Sequence, residues 1–164
     1  MFNRGEDPDA VVARFVAARV AEGVRVAGFT QETGRPAPGV ARICAVRDIE
    51  TGARFPVLQD LGAGSSACRV DPHAVADMAR LLGEALERGP GLLVVNRFGR
   101  LEAEGGGVAG EIGAALAAGV PVLVSVPRRY ETPWAAFAAG LDARFPPSFD
   151  AIEEWWRRQV CAPA

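Results

Sequence analysis

Residues 62–69, Gly-Ala-Gly-Ser-Ser-Ala-Cys-Arg, bring together the groups that grip a tetrahedral oxyanion. Small residues let backbone N–H groups converge, the hydroxyls of Ser65 and Ser66 donate, and Arg69 adds a guanidinium fork. Gly64, Ser65, Ser66, Cys68 and Arg69 are therefore candidate ligand-binding residues, for phosphate or molybdate. The competing account is an ordinary surface loop before a capped helix. Asp71, at the head of that helix, counts against an anion there. A second candidate cradle is Asn96-Arg97 with Gly105, Gly106 and Gly107. Asn96 and Arg97 end an apolar run, and the glycines, ahead of a helix, offer N–H groups. The two cradles can act singly or as halves of one site. Here the competing account is a plain turn, and Glu102 and Glu104 alongside weaken the case for an anion.

Three further features carry chemistry in principle. Cys68 beside Arg69 suits a low-pKa thiolate or a soft metal ligand, although a free cysteine is more often inert. Arg128-Arg129 falls after a later strand and adds positive charge at the same sheet edge, or is simply solvated. His73 falls in the first turn of a helix, at the surface.

The elements that must position these residues read as α/β. Asp7 caps a first helix with Pro8 at its first position, and Val12, Phe15, Val16 and Val20 form its apolar stripe. Residues 24–29 alternate as a strand, and residues 34–39 form a Gly/Pro-rich turn. Residues 40–49 and 53–58 form a hairpin turning at Glu50-Thr51-Gly52. Asp71-Pro72 opens a second helix with the stripe Val75, Met78, Leu82, Leu86, ended by Gly89-Pro90. Residues 92–95, Leu-Leu-Val-Val, are the continuous apolar run of a strand covered on both faces. A helix to about residue 118, a strand over 120–126, a short helix from Thr132-Pro133 and a last helix capped by Ser148 complete the chain. Trp155 and Trp156 lie about 100° apart on that last helix, so one is expected to face away from the core, at a subunit contact or against the sheet edge. The class is α/β with a mostly parallel sheet flanked by helices and an inserted antiparallel hairpin, in one domain over 1–164. Such a fold normally opens on a buried strand. Met1-Phe2-Asn3 reads either as that strand squeezed short or, the preferred reading, as the tail of a strand whose earlier residues precede the given sequence.

Composition narrows the chemistry. All 18 basic residues of the 164 are arginines, against 20 acidic ones. Without lysine there is no Schiff base, no lysine general base and no phosphate loop of the GxxxxGK[ST] type. A net charge of −2 provides no global field for nucleic acid or anionic membrane. No apolar run approaches the roughly 20 residues of a membrane span, and residues 1–9 carry charges and a proline where a signal peptide is apolar. Cys44, Cys68 and Cys161 are an odd set without a CxxC pair, and His73 is the single histidine, so structural zinc is not expected. The reading is a reduced, cytoplasmic protein.

Two blocks carry a resemblance. Residues 24–32, Val-Arg-Val-Ala-Gly-Phe-Thr-Gln-Glu, with the hairpin at Glu50-Thr51-Gly52, resemble small P-loop nucleoside triphosphatases. Residues 92–102 resemble their Walker B segment. The chain is closer still to a bacterial family of uncharacterised domains, related to those triphosphatases and often encoded beside molybdate-transport genes. That likeness rests on Gln59-Asp60-Leu61-Gly62, Ser65, Cys68-Arg69 and Asp71, and on Asn96 to Gly99, Glu102 and Glu104 to Gly107. It implies a degenerate P-loop-like fold and a cytoplasmic, non-hydrolytic oxyanion-binding protein in molybdenum handling. The implied ligand is molybdate or another tetrahedral oxyanion, and no other cofactor is implied. The implied partner is a molybdate-transport or cofactor-biosynthesis protein; a second copy of the chain as partner rests on the Trp155-Trp156 pair alone.

The departures from the triphosphatase pattern matter equally. Residues 3–8, where a phosphate loop would stand, hold one glycine, two carboxylates and no lysine. Asn96 replaces the aspartate that holds Mg²⁺, and Arg97 the glutamate that polarises water. Ordinary Mg-ATP hydrolysis is not expected. The alternative is a divergent nucleotide phosphatase with Glu102 or Glu104 as its base.

Overall fold

The computed structural model describes residues 1–33, 44–57 and 70–161. The turn expected at 34–39 and the candidates Gly64, Ser65, Ser66, Cys68 and Arg69 lie outside the described residues.

The first helix, α1 (Pro8–Ala21), starts as expected: the Asp7 carboxylate accepts from the Asp9 N–H at 3.1 Å and Pro8 stands at the first position. Strands β1 (Val26–Thr33), β2 (Cys44–Asp48) and β3 (Arg54–Pro56) follow, then α2 (Pro72–Glu87), β4 (Leu92–Val95) and the short α3 (Arg100–Ala103). Next come α4 (Ala109–Ala117), β5 (Val122–Val124), a 3₁₀ turn (Arg128–Tyr130), α5 (Glu131–Ala138) and α6 (Phe149–Cys161). The sheet order is β3-β2-β1-β4-β5. Strand β4 pairs in parallel with β1 and β5, whereas β2 is antiparallel to both β1 and β3. Four of the five strands thus point one way, and β2 alone is reversed. This is the expected α/β arrangement with its inserted hairpin, and it is consistent with a P-loop NTPase-like fold.

Because both faces of β4 are covered, its side chains divide between two cores. Leu92 and Val94 join Val12, Phe15 and Val16 of α1 and Trp156 of α6. Leu93 and Val95 join Leu82 of α2 and Ile112 of α4 on the other side. Gly28, opposite Val94 of β4, has φ +116°, a conformation in which a Cβ would stand 2.0 Å from the Val94 carbonyl oxygen.

Two expectations need correction. Val20 is 51% exposed, and Arg19 takes the fourth place in the stripe of α1. Its guanidinium carbon lies 4.9 Å from the Phe15 ring centroid and 6.0 Å from that of Trp156, and the same group meets Glu22 at 2.7 Å and Glu153 at 2.9 Å. Trp155 and Trp156 are both buried, because α6 is covered on two sides. Trp156 stands edge-on to Phe15 and Trp155 against Phe145. The opening residues also pair with the sheet. Phe2 forms a parallel bridge to Pro127, donating its N–H to the Val126 carbonyl at 3.1 Å and accepting from the Arg128 N–H at 3.0 Å. One residue of strand pairing therefore precedes α1.

Candidate functional site

Since α1 runs back along the sheet into β1, its N-terminus lies at the edge where β4 and β5 end. Open α/β sheets place ligands at this edge, and a helix N-terminus there favours anions. Asn96 and Arg97 sit at the tip of β4, and both turn onto Asp9, the second residue of α1. The Asn96 amide donates to Asp9 Oδ1 at 3.0 Å, and Arg97 Nη2 donates to Asp9 Oδ2 at 2.9 Å. The Arg97 guanidinium also lies 5.1 Å from the Phe2 ring centroid. A carboxylate of the protein's own chain thus occupies an anion-favouring position. Sequence reading missed Asp9; an acidic residue in the first turn after a capping Asp-Pro was its only signal.

The cluster is incompletely satisfied. Asn96 is only 3% exposed, yet its Oδ1 has no hydrogen-bond partner among the described residues, and neither has Arg97 Nε. An arginine carries five N–H donors. Arg97 uses one of them on Asp9, and its side chain remains 30% exposed. The next residue, Phe98, anchors the strand tip. Fully buried, it packs edge-on against Tyr130 and Trp134 and donates its N–H to the Ser125 carbonyl.

The glycine run behaves differently from an open cradle. Gly105 and Gly106 donate their N–H groups to the carbonyls of Glu102 and Leu101. Glu102 occupies the concavity: its carboxylate accepts from the Gly99 N–H at 2.9 Å and the Val108 N–H at 3.3 Å. Gly107 (φ +62°) leaves room for it, since a Cβ there would stand 2.0 Å from Glu102 Oε1. Glu102 is therefore a cap that closes residues 99–108, and Glu104 is exposed and paired with Arg100 at 2.8 Å. Neither carboxylate has the setting of a general base.

The remaining candidates are placed as follows. Residues 3–8 form a tight turn, in which the Glu6 N–H donates to the Asn3 carbonyl and the Glu6 carboxylate accepts from the Asn3 N–H. Arg128 and Arg129 are exposed at the same edge; Arg128 lies 3.8 Å from Glu131, and Arg129 stacks on Tyr130. His73 is exposed, with its N–H capped by Asp71. The Asp71 N–H donates to the Val57 carbonyl at 3.0 Å. Val57 directly follows β3, which points the same way as β4, so it stands on the edge that carries Asn96 and Arg97. Among the described residues, no group of three His, Cys, Asp or Glu could hold a metal ion, and no helix is long and apolar enough to cross a membrane.

A family model described as "Protein of unknown function (DUF2478)" matches residues 1–155. The chain is also 31% identical over 157 residues to the Molybdenum import ATP-binding protein ModC 2 of Bradyrhizobium diazoefficiens. That match covers 96% of this chain but only 18% of the relative. No solved structure matches the chain.

Proposed function

The chain belongs to the DUF2478 family, and from that premise we propose that it is a non-hydrolytic, P-loop-like module that binds a tetrahedral oxyanion, molybdate first among them. The observation that carries the reading is the Arg97 guanidinium. It stands at the edge of the sheet where ligands bind in open α/β folds, with one hydrogen bond to Asp9 and no partner for its Nε among the described residues. In this reading the anion displaces Asp9 from Arg97, and Ser65, Ser66 and Arg69, which lie outside the described residues, are the further candidate donors. A divalent oxyanion competes well with a carboxylate for a guanidinium fork because it carries more charge and more acceptor oxygens.

The absence of hydrolysis follows from the same residues. Asn96 brings no charge for Mg²⁺, Arg97 is a cation where a base is needed, and Glu102 is committed to two backbone N–H groups. The name of the ModC 2 relative supports molybdate as the anion and molybdenum import as the process. A protein of that process is accordingly the proposed partner.

Isothermal titration with molybdate, tungstate, sulfate and ATP tests the reading. Molybdate and tungstate should bind, and Arg97→Ala should abolish binding. Silence with all four ligands overturns the proposal, and phosphate release from Mg-ATP above the buffer rate overturns its non-hydrolytic part.

A further inference from the structure

The Arg97 guanidinium touches two groups of different kinds. Its Nη2 donates to the Asp9 carboxylate at 2.9 Å, and its carbon lies over the ring of Phe2, 5.1 Å from the centroid. The carboxylate takes up an N–H donor. A ring face attracts the cation through its quadrupole and takes up none. Phe2 is also a fixed platform, only 8% exposed. Its N–H donates to the Val126 carbonyl at 3.1 Å and its carbonyl accepts from the Arg128 N–H at 3.0 Å, so its backbone is tied on both counts to the segment after β5.

We propose that Phe2 is a positioning residue for the anion site: its ring holds the Arg97 fork at the sheet edge once the anion has displaced Asp9. This role rests on the oxyanion reading of that edge. Exchange of Asp9 for an anion removes the hydrogen bond that orients the guanidinium. A long side chain released in this way would have to be ordered again by the ligand, at the expense of affinity. The ring persists through the exchange, because it neither competes for the anion nor consumes a donor. The fork is thus ordered on folding, before any ligand arrives, and its N–H groups stay available. Asp9 is the removable partner of Arg97, and Phe2 the permanent one.

The test replaces the Phe2 ring, in the full chain, with mono-, tri- and pentafluorinated phenyl rings, which closely keep its shape and drain the negative charge from its face step by step. One readout needs no ligand. Asp9→Ala imitates the displaced state, and the reporter is Arg97 Nε–H, shielded and without a partner among the described residues. In Asp9→Ala its NMR signal should remain ring-shifted and slow to exchange with water, and pentafluorination should return it to the position of a solvated arginine. The second readout is the dissociation constant for molybdate, measured far below the melting temperature. It should rise with each fluorine added, to roughly fivefold in the pentafluorinated chain. Loss of the shifted signal in Asp9→Ala with the native ring overturns the proposal, since Asp9 alone would then hold Arg97. A signal or an affinity indifferent to fluorination also overturns it and assigns the ring to packing. Should Asp9→Ala unfold, the same fluorine series in the otherwise unmodified chain gives the Arg97 signal, with the same graded change expected. Silence of the unmodified chain with molybdate overturns the oxyanion reading, while the Arg97 signal still decides whether Phe2 orients that side chain.

Discussion

Arg97 and Asp9, 88 residues apart in the chain, meet through a 2.9 Å charge-assisted hydrogen bond that joins the tip of β4 to the first turn of α1. This one contact both ties the two elements together and occupies the place where an anion would be held. Stability and binding should therefore respond to it in opposite directions.

Asp9→Asn should lower stability by about 1–3 kcal/mol, because a partly buried guanidinium loses its counter-charge. In the proposed function the same variant should bind molybdate several-fold more tightly, since the anion no longer competes with a carboxylate. Urea unfolding and titration calorimetry on one preparation measure both. Unchanged affinity in Asp9→Asn would detach Asp9 from the binding step.

Gly107→Ala and Gly110→Ala should differ in sign. At Gly107 the new methyl meets the Glu102 carboxylate in a left-handed backbone, and a loss of about 2–3 kcal/mol is expected. Gly110 lies in α4 with nothing within 4 Å of its Cβ position, so alanine should stabilise by up to about 1 kcal/mol. Thermal melts of the two variants decide the matter. Equal losses would refute the cap assigned to Glu102.

Arg19→Ala should cost about 2–4 kcal/mol, through lost packing between two aromatic rings and through Glu153, 13% exposed, left without its cation. Val20→Ala, one residue away, should change stability by about 0.5 kcal/mol at most. Chemical denaturation ranks the two.

Acid sensitivity should centre on Asp142. Burial pushes its carboxyl up, but hydrogen bonds from Arg144 and Trp134 outweigh that and hold it below the ordinary carboxylate range. A depressed folded-state value means that its contribution is complete above the unfolded-state value and is lost as the pH falls through the folded one. Asp142→Asn should therefore flatten the stability profile on the acid side and leave the dependence near neutral pH untouched. Melting temperatures collected from neutral pH down into the acid range measure this. A slope identical to that of the unmodified chain would assign the acid sensitivity to other carboxylates.

Much of this architecture was legible in the residues themselves. Asp7-Pro8 and Asp71-Pro72 announce α1 and α2 because capping is local chemistry, decided within one turn. The unbroken run 92–95 announces a strand buried on both faces for the same reason: four apolar side chains must find two covers. What escaped depends on partners distant in sequence. Arg19 was unreadable as a core residue because its burial needs Phe15, Trp156 and Glu153 in place. Trp155 and Trp156 could not both be assigned inward without knowing that α6 is covered on two sides. At the site, Asn96 and Arg97 were found through their position after a strand, whereas Asp9, which receives both, looked only like a helix-favouring charge. The glycine run reads as an open anion cradle, because no local rule foretells that Glu102 turns back into it.

Gly28 has a consequence for what the centre of the sheet can tolerate. Its φ of +116° turns the Cβ position onto the Val94 carbonyl oxygen, at 2.0 Å, so a side chain there would force the two central strands to move. Position 28 thus admits glycine alone. A substitution would be transmitted along β4 to its tip, and with it to the reach of Arg97 toward the helix that leads into β1.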